Sequence, residues 1–86
     1  MAKVIVFSKA NCPYCDRAKA LLTHKQADFE VLRIDMDPAN LAAMQERVPN
    51  ARTVPQIFIG DLHVGGFDDM HALDQAGKLD ALLNDA

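Results

Sequence analysis

The chain has no second pair of cysteines, no excess of basic residues, no long apolar run, and no repeat, linker or low-complexity stretch. Each absence excludes something. A structural zinc site takes four ligands, and Cys12 and Cys15 are the only cysteines. His24, His63 and His71 are not at zinc-ligand spacing, so no metal residues are assigned. Nine Lys and Arg stand against twelve Asp and Glu, a net charge of −3, with the bases scattered among the acids. That is not the footprint of a nucleic-acid binder. The apolar run after Met1-Ala2-Lys3 stops at Ser8 and Lys9, too short for a secretory core or a membrane span. The expected compartment is a reducing cytoplasm. A close cysteine pair there is more often catalytic or metal-binding than structural.

What is present fits one domain over residues 1–86, half apolar and 24% charged. A chain this short buries roughly 60–65% of its unfolded surface, enough for a two-layer core. Val4 to Phe7 reads as a buried strand. A first helix is predicted from Pro13, with Tyr14, Ala18, Leu21 and Leu22 as its core stripe. Phe29 to Ile34 reads as a second strand. Asp37-Pro38 is a cap followed by proline, opening a helix with Leu41, Met44 and Val48 inward and Pro49-Asn50 at its end. Gln56 to Ile59 and Leu62 to Val64 form a hairpin through Gly60-Asp61. A third helix follows Gly65-Gly66 with Met70 and Leu73 inward and stops near Gly77, and Leu79, Leu82 and Leu83 make a short last helix. The order β-α-β-α-β-β-α-α predicts an α/β fold: a four-stranded mixed sheet with helices on both faces. In it the hairpin adds antiparallel strands beside strand one.

Cys12-Pro13-Tyr14-Cys15 carries the chemistry. Cys12 immediately precedes the helix, where its side chain is placed to accept from the N–H groups of Tyr14 and Cys15. Pro13 has no N–H to lose in the first helical position. The positive end of the helix dipole favours a thiolate, with Lys9 near enough in sequence to add a cation. The Cys12 pKa is therefore expected well below the roughly 8.5 of a free thiol. Such a thiolate attacks a disulfide, and Cys15, inside the first turn, is better placed to displace what was attacked. Two inert core cysteines fit poorly, because the pair abuts polar residues at a strand end.

Two further segments have alternative readings. Thr53-Val54-Pro55 brings a proline into a strand, where it cannot donate to the ladder. A cis Val54–Pro55 bond would turn the Val54 backbone outward to pair with an extended peptide. By spacing alone trans is the default, since only about 5–6% of X–Pro bonds are cis. Gly65-Gly66-Phe67-Asp68-Asp69 offers close backbone approach, free helix N–H groups and an acid, which suits the zwitterionic end of an α-amino acid. Taken alone it is more simply a glycine turn with an acidic helix start. Lys9 and Arg52 are candidates for a second carboxylate, Arg bidentately, although most surface cations are only solvated. Tyr14 fits either a groove or the helix's core stripe. Phe7, Phe29 and Phe58 read as core, and the histidines as surface or strand-end residues.

Taken together, Cys12-Pro13-Tyr14-Cys15, Thr53-Val54-Pro55-Gln56-Ile57-Phe58-Ile59 and Gly65-Gly66-Phe67-Asp68-Asp69 resemble a dithiol glutaredoxin of the short bacterial kind, over nearly the whole chain. The resemblance implies a thioredoxin-like fold, no bound cofactor, and glutathione as co-substrate. It implies Cys12 as nucleophile, Cys15 as resolving thiol, and a cis Pro55 with Val54 pairing its backbone to the cysteinyl unit of glutathione. Gly66 would belong to the glutathione site, Phe67 and Asp68 would present backbone N–H groups to the γ-glutamyl carboxylate, and Asp69 or Asp68 would lie near its ammonium. Lys9, Tyr14, Arg52 and Thr53 would line the groove and help hold the glycine carboxylate. Phe67 departs from the small residue common at its position.

The implied reaction is reduction of protein disulfides and protein–glutathione mixed disulfides, with glutathione reductase and NADPH restoring glutathione. The implied partners are glutathione and disulfide-containing or glutathionylated proteins, ribonucleotide reductase among them, served by a monomer. Two rival readings remain. A redoxin served by thioredoxin reductase is opposed by Tyr14 and the Gly65–Asp69 segment. An iron–sulfur carrier, with Cys12 from two chains and two glutathiones around a cluster, is opposed by Pro13.

Overall fold

In the computed structural model, which describes residues 3–84, β1 (Val4–Ser8) is apolar on both sides because both sides are covered. Alternate side chains of a strand point to opposite faces. Val4 and Val6 enter one core and Phe7 the other, with Ile5 packed against that second core. β1 pairs in parallel with β2 (Phe29–Arg33) and antiparallel with β3 (Gln56–Ile59), and β3 pairs antiparallel with β4 (Leu62–Gly65). The sheet order is β2-β1-β3-β4. A register shift between Ile57 and Phe58 sets His63 opposite Phe58.

Helices α1 (Pro13–His24), α3 (Phe67–Gln75) and α4 (Leu79–Asn84) cover one face. They bring Ala18, Leu22, Met70, Leu79 and Leu83 onto Val4, Val6, Ile57 and Ile59. α2 (Pro38–Arg47) covers the other face, where Met44 packs with Phe7 and Phe58. The rings of Phe7 and Phe58 meet edge to face, 5.8 Å apart. Just past the end of α1, Lys25 reaches Asp74 of α3 at 2.7 Å and Asp80 of α4 at 3.0 Å. Those two carboxylates, Asp74 foremost, raise its pKa.

This is the expected α/β arrangement, the thioredoxin-like fold, with the elements in the expected order. The bounds differ by a residue: β1 continues through Ser8, β2 stops at Arg33 and β4 continues through Gly65. One core assignment is corrected. Tyr14 is half exposed, and the buried stripe of α1 is Cys15, Ala18 and Leu22. Their i, i+3, i+7 spacing lies on the face toward the sheet, whereas Tyr14 is rotated one residue off it.

Candidate active site

Cys12 is the N-cap of α1, in an extended conformation with Pro13 following. Its Sγ accepts the N–H of Cys15 at 3.2 Å. Of the two amides expected to point at the sulfur, the one at the third helical position takes the bond. The two cysteines are joined as a disulfide, with Cα atoms 5.2 Å apart. Access to them is unequal: Cys15 has no exposed surface, while Cys12 keeps 7%. A molecule arriving from solvent therefore meets Cys12 first. On its other side Cys12 Sγ lies 3.7 Å from the carbonyl oxygen of Val54.

Val54 belongs to the wall of a cleft of about 520 Å³. Thr53, Val54, Pro55 and Gln56 form one side of it, and Gly65, Gly66, Phe67, Asp68 and Asp69 the other, with Tyr14 and His63 completing it. The Val54–Pro55 bond is cis. Of the residues singled out in the sequence, Tyr14, Thr53, Val54, Pro55, Gly66, Phe67, Asp68 and Asp69 meet in this cleft. Cys12 adjoins it through Val54. Lys9 and Arg52 do not line it. Both are exposed, as long hydrated cations are when no buried acid draws them in.

The second wall owes its shape to a turn. Gly65 has φ +110°, in the left-handed region that favours glycine, and a side chain there would overlap the carboxylate of Asp69. That carboxylate folds back onto the start of its own helix, accepting the Gly66 N–H at 3.0 Å. The two acids of the motif are thereby distinguished. Both are exposed and line the cleft, but Asp69 spends one carboxylate oxygen on the turn, and Asp68 has no such bond among the described residues. The amides of Phe67 and Asp68 lie in the first turn of α3, where a helix has no internal acceptor for them. The Phe67 ring sits 6.5 Å from Tyr14 and stacks on His71 at 5.5 Å, while the Arg17 guanidinium lies over Tyr14.

Comparison with known proteins shows the family. The family model for glutaredoxin matches residues 4–64. The chain belongs to the glutaredoxin family. It is 52% identical to a glutaredoxin of Pseudomonas aeruginosa, over 98% of this chain and 99% of that one. It is 51% identical to glutaredoxin 3 of Escherichia coli, over 96% and 99% respectively. Among solved structures it is similar to a buckwheat glutaredoxin–glutathione complex. The TM-score there is 0.83 at 35% identity, covering 95% of this chain and 76% of that one. As a glutaredoxin the chain has thiol–disulfide oxidoreductase chemistry, and its disulfide-forming cysteines are Cys12 and Cys15.

Four residues that sequence reasoning did not single out also shape this glutaredoxin's site. Asp35, beyond β2, accepts the Ala10 N–H at 3.1 Å and so tethers the loop that leads into Cys12. Arg33 grips the same carboxylate with two nitrogens, each at 2.7 Å. That guanidinium holds the Asp35 carboxyl well below the usual carboxylate range. Gln56 and His63 line the cleft and are bonded to each other at 2.7 Å. His63 is exposed on the edge strand β4, in keeping with a surface or strand-end residue, and it also faces the cleft. The Asp35–Ala10 and Gln56–His63 contacts join positions 25 and seven apart, which no local pattern marks, whereas Arg33–Asp35 and Gln56–Thr53 lie two and three positions apart. Among the described residues no group of three or more His, Cys, Asp or Glu is arranged to hold a metal ion, and no helix is long and apolar enough to cross a membrane.

Proposed function

We propose that this glutaredoxin is a glutathione-dependent disulfide oxidoreductase of the cytoplasm, acting on protein disulfides and on protein–glutathione mixed disulfides. The observation that carries the reading is a disulfide whose more accessible cysteine abuts a cleft lined by Val54 and by the first turn of α3. The Val54 backbone supplies a strand-like edge on one side, and the first amides of α3 supply carboxylate donors on the other. Asp68 is the carboxylate available for an ammonium. Glutathione has all three features: a peptide backbone, a free α-carboxylate and a free α-ammonium. Likeness to a glutaredoxin–glutathione complex supports the same occupant.

In the reduced state Cys12 is the nucleophile. Its thiolate, stabilised by the Cys15 amide and the α1 dipole, attacks the glutathionyl sulfur of a mixed disulfide. A Cys12–glutathione disulfide forms and the protein thiolate leaves. A second glutathione thiolate then attacks the glutathionyl sulfur, releasing glutathione disulfide and the Cys12 thiolate. With a protein disulfide, Cys12 attacks one sulfur and expels the other as thiolate. Cys15 then gives its proton to the expelled substrate thiolate and attacks Cys12 Sγ, releasing the second substrate sulfur as thiolate and leaving Cys12–Cys15 oxidised. Two glutathiones reduce that bond, and glutathione reductase with NADPH regenerates them. Redox-active enzymes such as ribonucleotide reductase are the corresponding protein partners.

Cys15→Ser is the discriminating variant, assayed with glutathione, glutathione reductase and NADPH. It is expected to retain turnover of a glutathionylated peptide and to lose reduction of protein disulfides. Equal loss on both substrates would reject the roles of the two cysteines. Turnover supported by thioredoxin reductase but not by glutathione would reject the co-substrate.

A further inference from the structure

We infer that Gln56 and His63 are positioning residues, which together hold the Thr53–Pro55 wall in place for the substrate. Gln56 is 92% buried at the start of β3, and its Nε2 donates to the carbonyl oxygen of Thr53 at 3.0 Å. A carbonyl only accepts, so the Gln56 amide must turn its NH₂ toward Thr53 and its Oε1 the other way. Oε1 faces His63 Nε2 at 2.7 Å, so that nitrogen carries the proton and donates. The imidazole is fixed in turn by stacking on Phe58, with centroids 4.8 Å apart and planes 25° from parallel. Phe58 is itself a core residue, with the Arg47 guanidinium 4.7 Å from its ring centre.

The result is a hydrogen-bond chain of one polarity, from a ring on β4 to the backbone carbonyl of residue 53. The next residue is Val54, whose carbonyl touches Cys12. Among the described residues, backbone bonding in the α2–β3 connection is confined to its first half, where Ala51 N–H donates to Val48 O. The half that faces substrate is held by the Gln56 side chain instead. A wall that must present backbone groups in one orientation gains substrate affinity when it is held beforehand. Neither side chain enters the sulfur chemistry, so the effect belongs in binding and not in turnover.

The choice of glutathionylated peptide as substrate rests on the function proposed above, but the positioning role does not, because Val54 faces any extended chain at Cys12. Three variants test it. Gln56→Leu removes both hydrogen bonds at similar volume. His63→Phe keeps the stacking on Phe58 and removes only the donor. His63→Gln restores an amide nitrogen where Nε2 stood. Each is assayed on a glutathionylated peptide with glutathione, and separately on a protein disulfide with dithiothreitol as reductant. For Gln56→Leu and His63→Phe we expect KM to rise roughly five- to tenfold with kcat within about twofold. His63→Gln should return KM to near the parent value, and the Tm of His63→Phe should stay within about 2 °C of the parent. An unchanged KM in both variants overturns the inference, as does a fall in kcat alone or a His63→Gln variant no better than His63→Phe. If the parent protein ignores the glutathionylated peptide, the glutathione reading falls, and the dithiothreitol assay still decides the positioning role through KM for the protein disulfide.

Discussion

Helices α1 and α2 both open on a capping residue followed by proline, Cys12-Pro13 and Asp37-Pro38. Both caps are extended, with φ and ψ of −118° and 95° in one and −140° and 113° in the other. Both side chains accept a first-turn amide, Cys12 Sγ from Cys15 at 3.2 Å and Asp37 Oδ1 from Ala39 at 2.9 Å. The surroundings differ. Asp37 is exposed and its bond completes a helix end. Cys12 is nearly enclosed, joined to Cys15 and pressed against the Val54 carbonyl beside a cleft. The same cap presents the same partial positive charge to whatever atom sits there. An oxygen is merely satisfied by it, whereas in the proposed mechanism the same charge favours the reactive thiolate of a reduced sulfur.

Exchanging the sulfur for an oxygen breaks this comparison most severely. Serine is a good capping residue, so Cys12→Ser should keep α1 intact and cost little stability. Turnover of every disulfide substrate should fall by more than ~10³-fold, because no thiolate remains to attack. Residual activity of even a few per cent, after exclusion of parent contamination, would mean that the cap of α1 is not the reactive position. A third helix start, that of α3, sharpens the contrast. There the cap is Gly66, and the acid that reaches back is Asp69. Gly65→Ala would impose a side chain on a left-handed backbone and against that acid. The expected result is a KM for glutathionylated peptide raised about tenfold and a stability loss of at least ~1 kcal/mol. A KM unchanged at reduced stability would remove the α3 amides from substrate binding.

The α2 cap supplies the smaller and opposite effect. Asp37→Ala removes the acceptor for the Ala39 amide and should cost about 1 kcal/mol of stability, read by denaturant midpoint. Activity per folded molecule should be unchanged. An activity loss comparable to that of Cys12→Ser would show that the two caps are not functionally distinct.

Both caps were legible in the sequence for the same reason: a cap is a contact between neighbours, and proline after it marks the spot. The strand order followed from similarly local cues, apolar runs separated by Asp-Pro, Val-Pro and Gly-Asp steps. The three cleft motifs were legible as a set only because their order resembles a known family. Local patterns did not say which way Tyr14 faces, since position 14 suits a core stripe and a groove rim equally until the sheet is placed. Nor did they say that Asp69 would be spent on Gly66 while Asp68 stays open. Lys9 and Arg52 were candidates for their charge, for the nearness of Lys9 to Cys12 in sequence and for the family resemblance, and neither lines the cleft. The tether from Asp35 to Ala10 and the Gln56–His63 pair join separate elements, so they become visible only once the fold is known.

Asp35 yields the smallest expected effect and a pH signature of its own. Its carboxyl is held well below the ordinary range, first by the Arg33 guanidinium and further by the Ala10 amide. A group whose folded pKa is depressed contributes stability above its unfolded value, roughly 3.9, and that contribution is lost as pH falls through the folded value. Asp35→Asn still offers an oxygen to Ala10, so it removes the charge while keeping an acceptor. Because the pair is partly exposed, solvent weakens it. The expected penalty above about pH 5 is therefore a Tm lower by only roughly 2–5 °C. Below about pH 4 the parent begins to lose the same contribution, and the two melting curves should converge as acidity increases. Added salt should narrow the gap at neutral pH in the same way. A difference that persists unchanged at the most acidic pH would assign the stabilisation to the shape of the Asp35 side chain and not to its charge. The loop leading into Cys12 would then be held, like the α2 start, by a hydrogen bond alone.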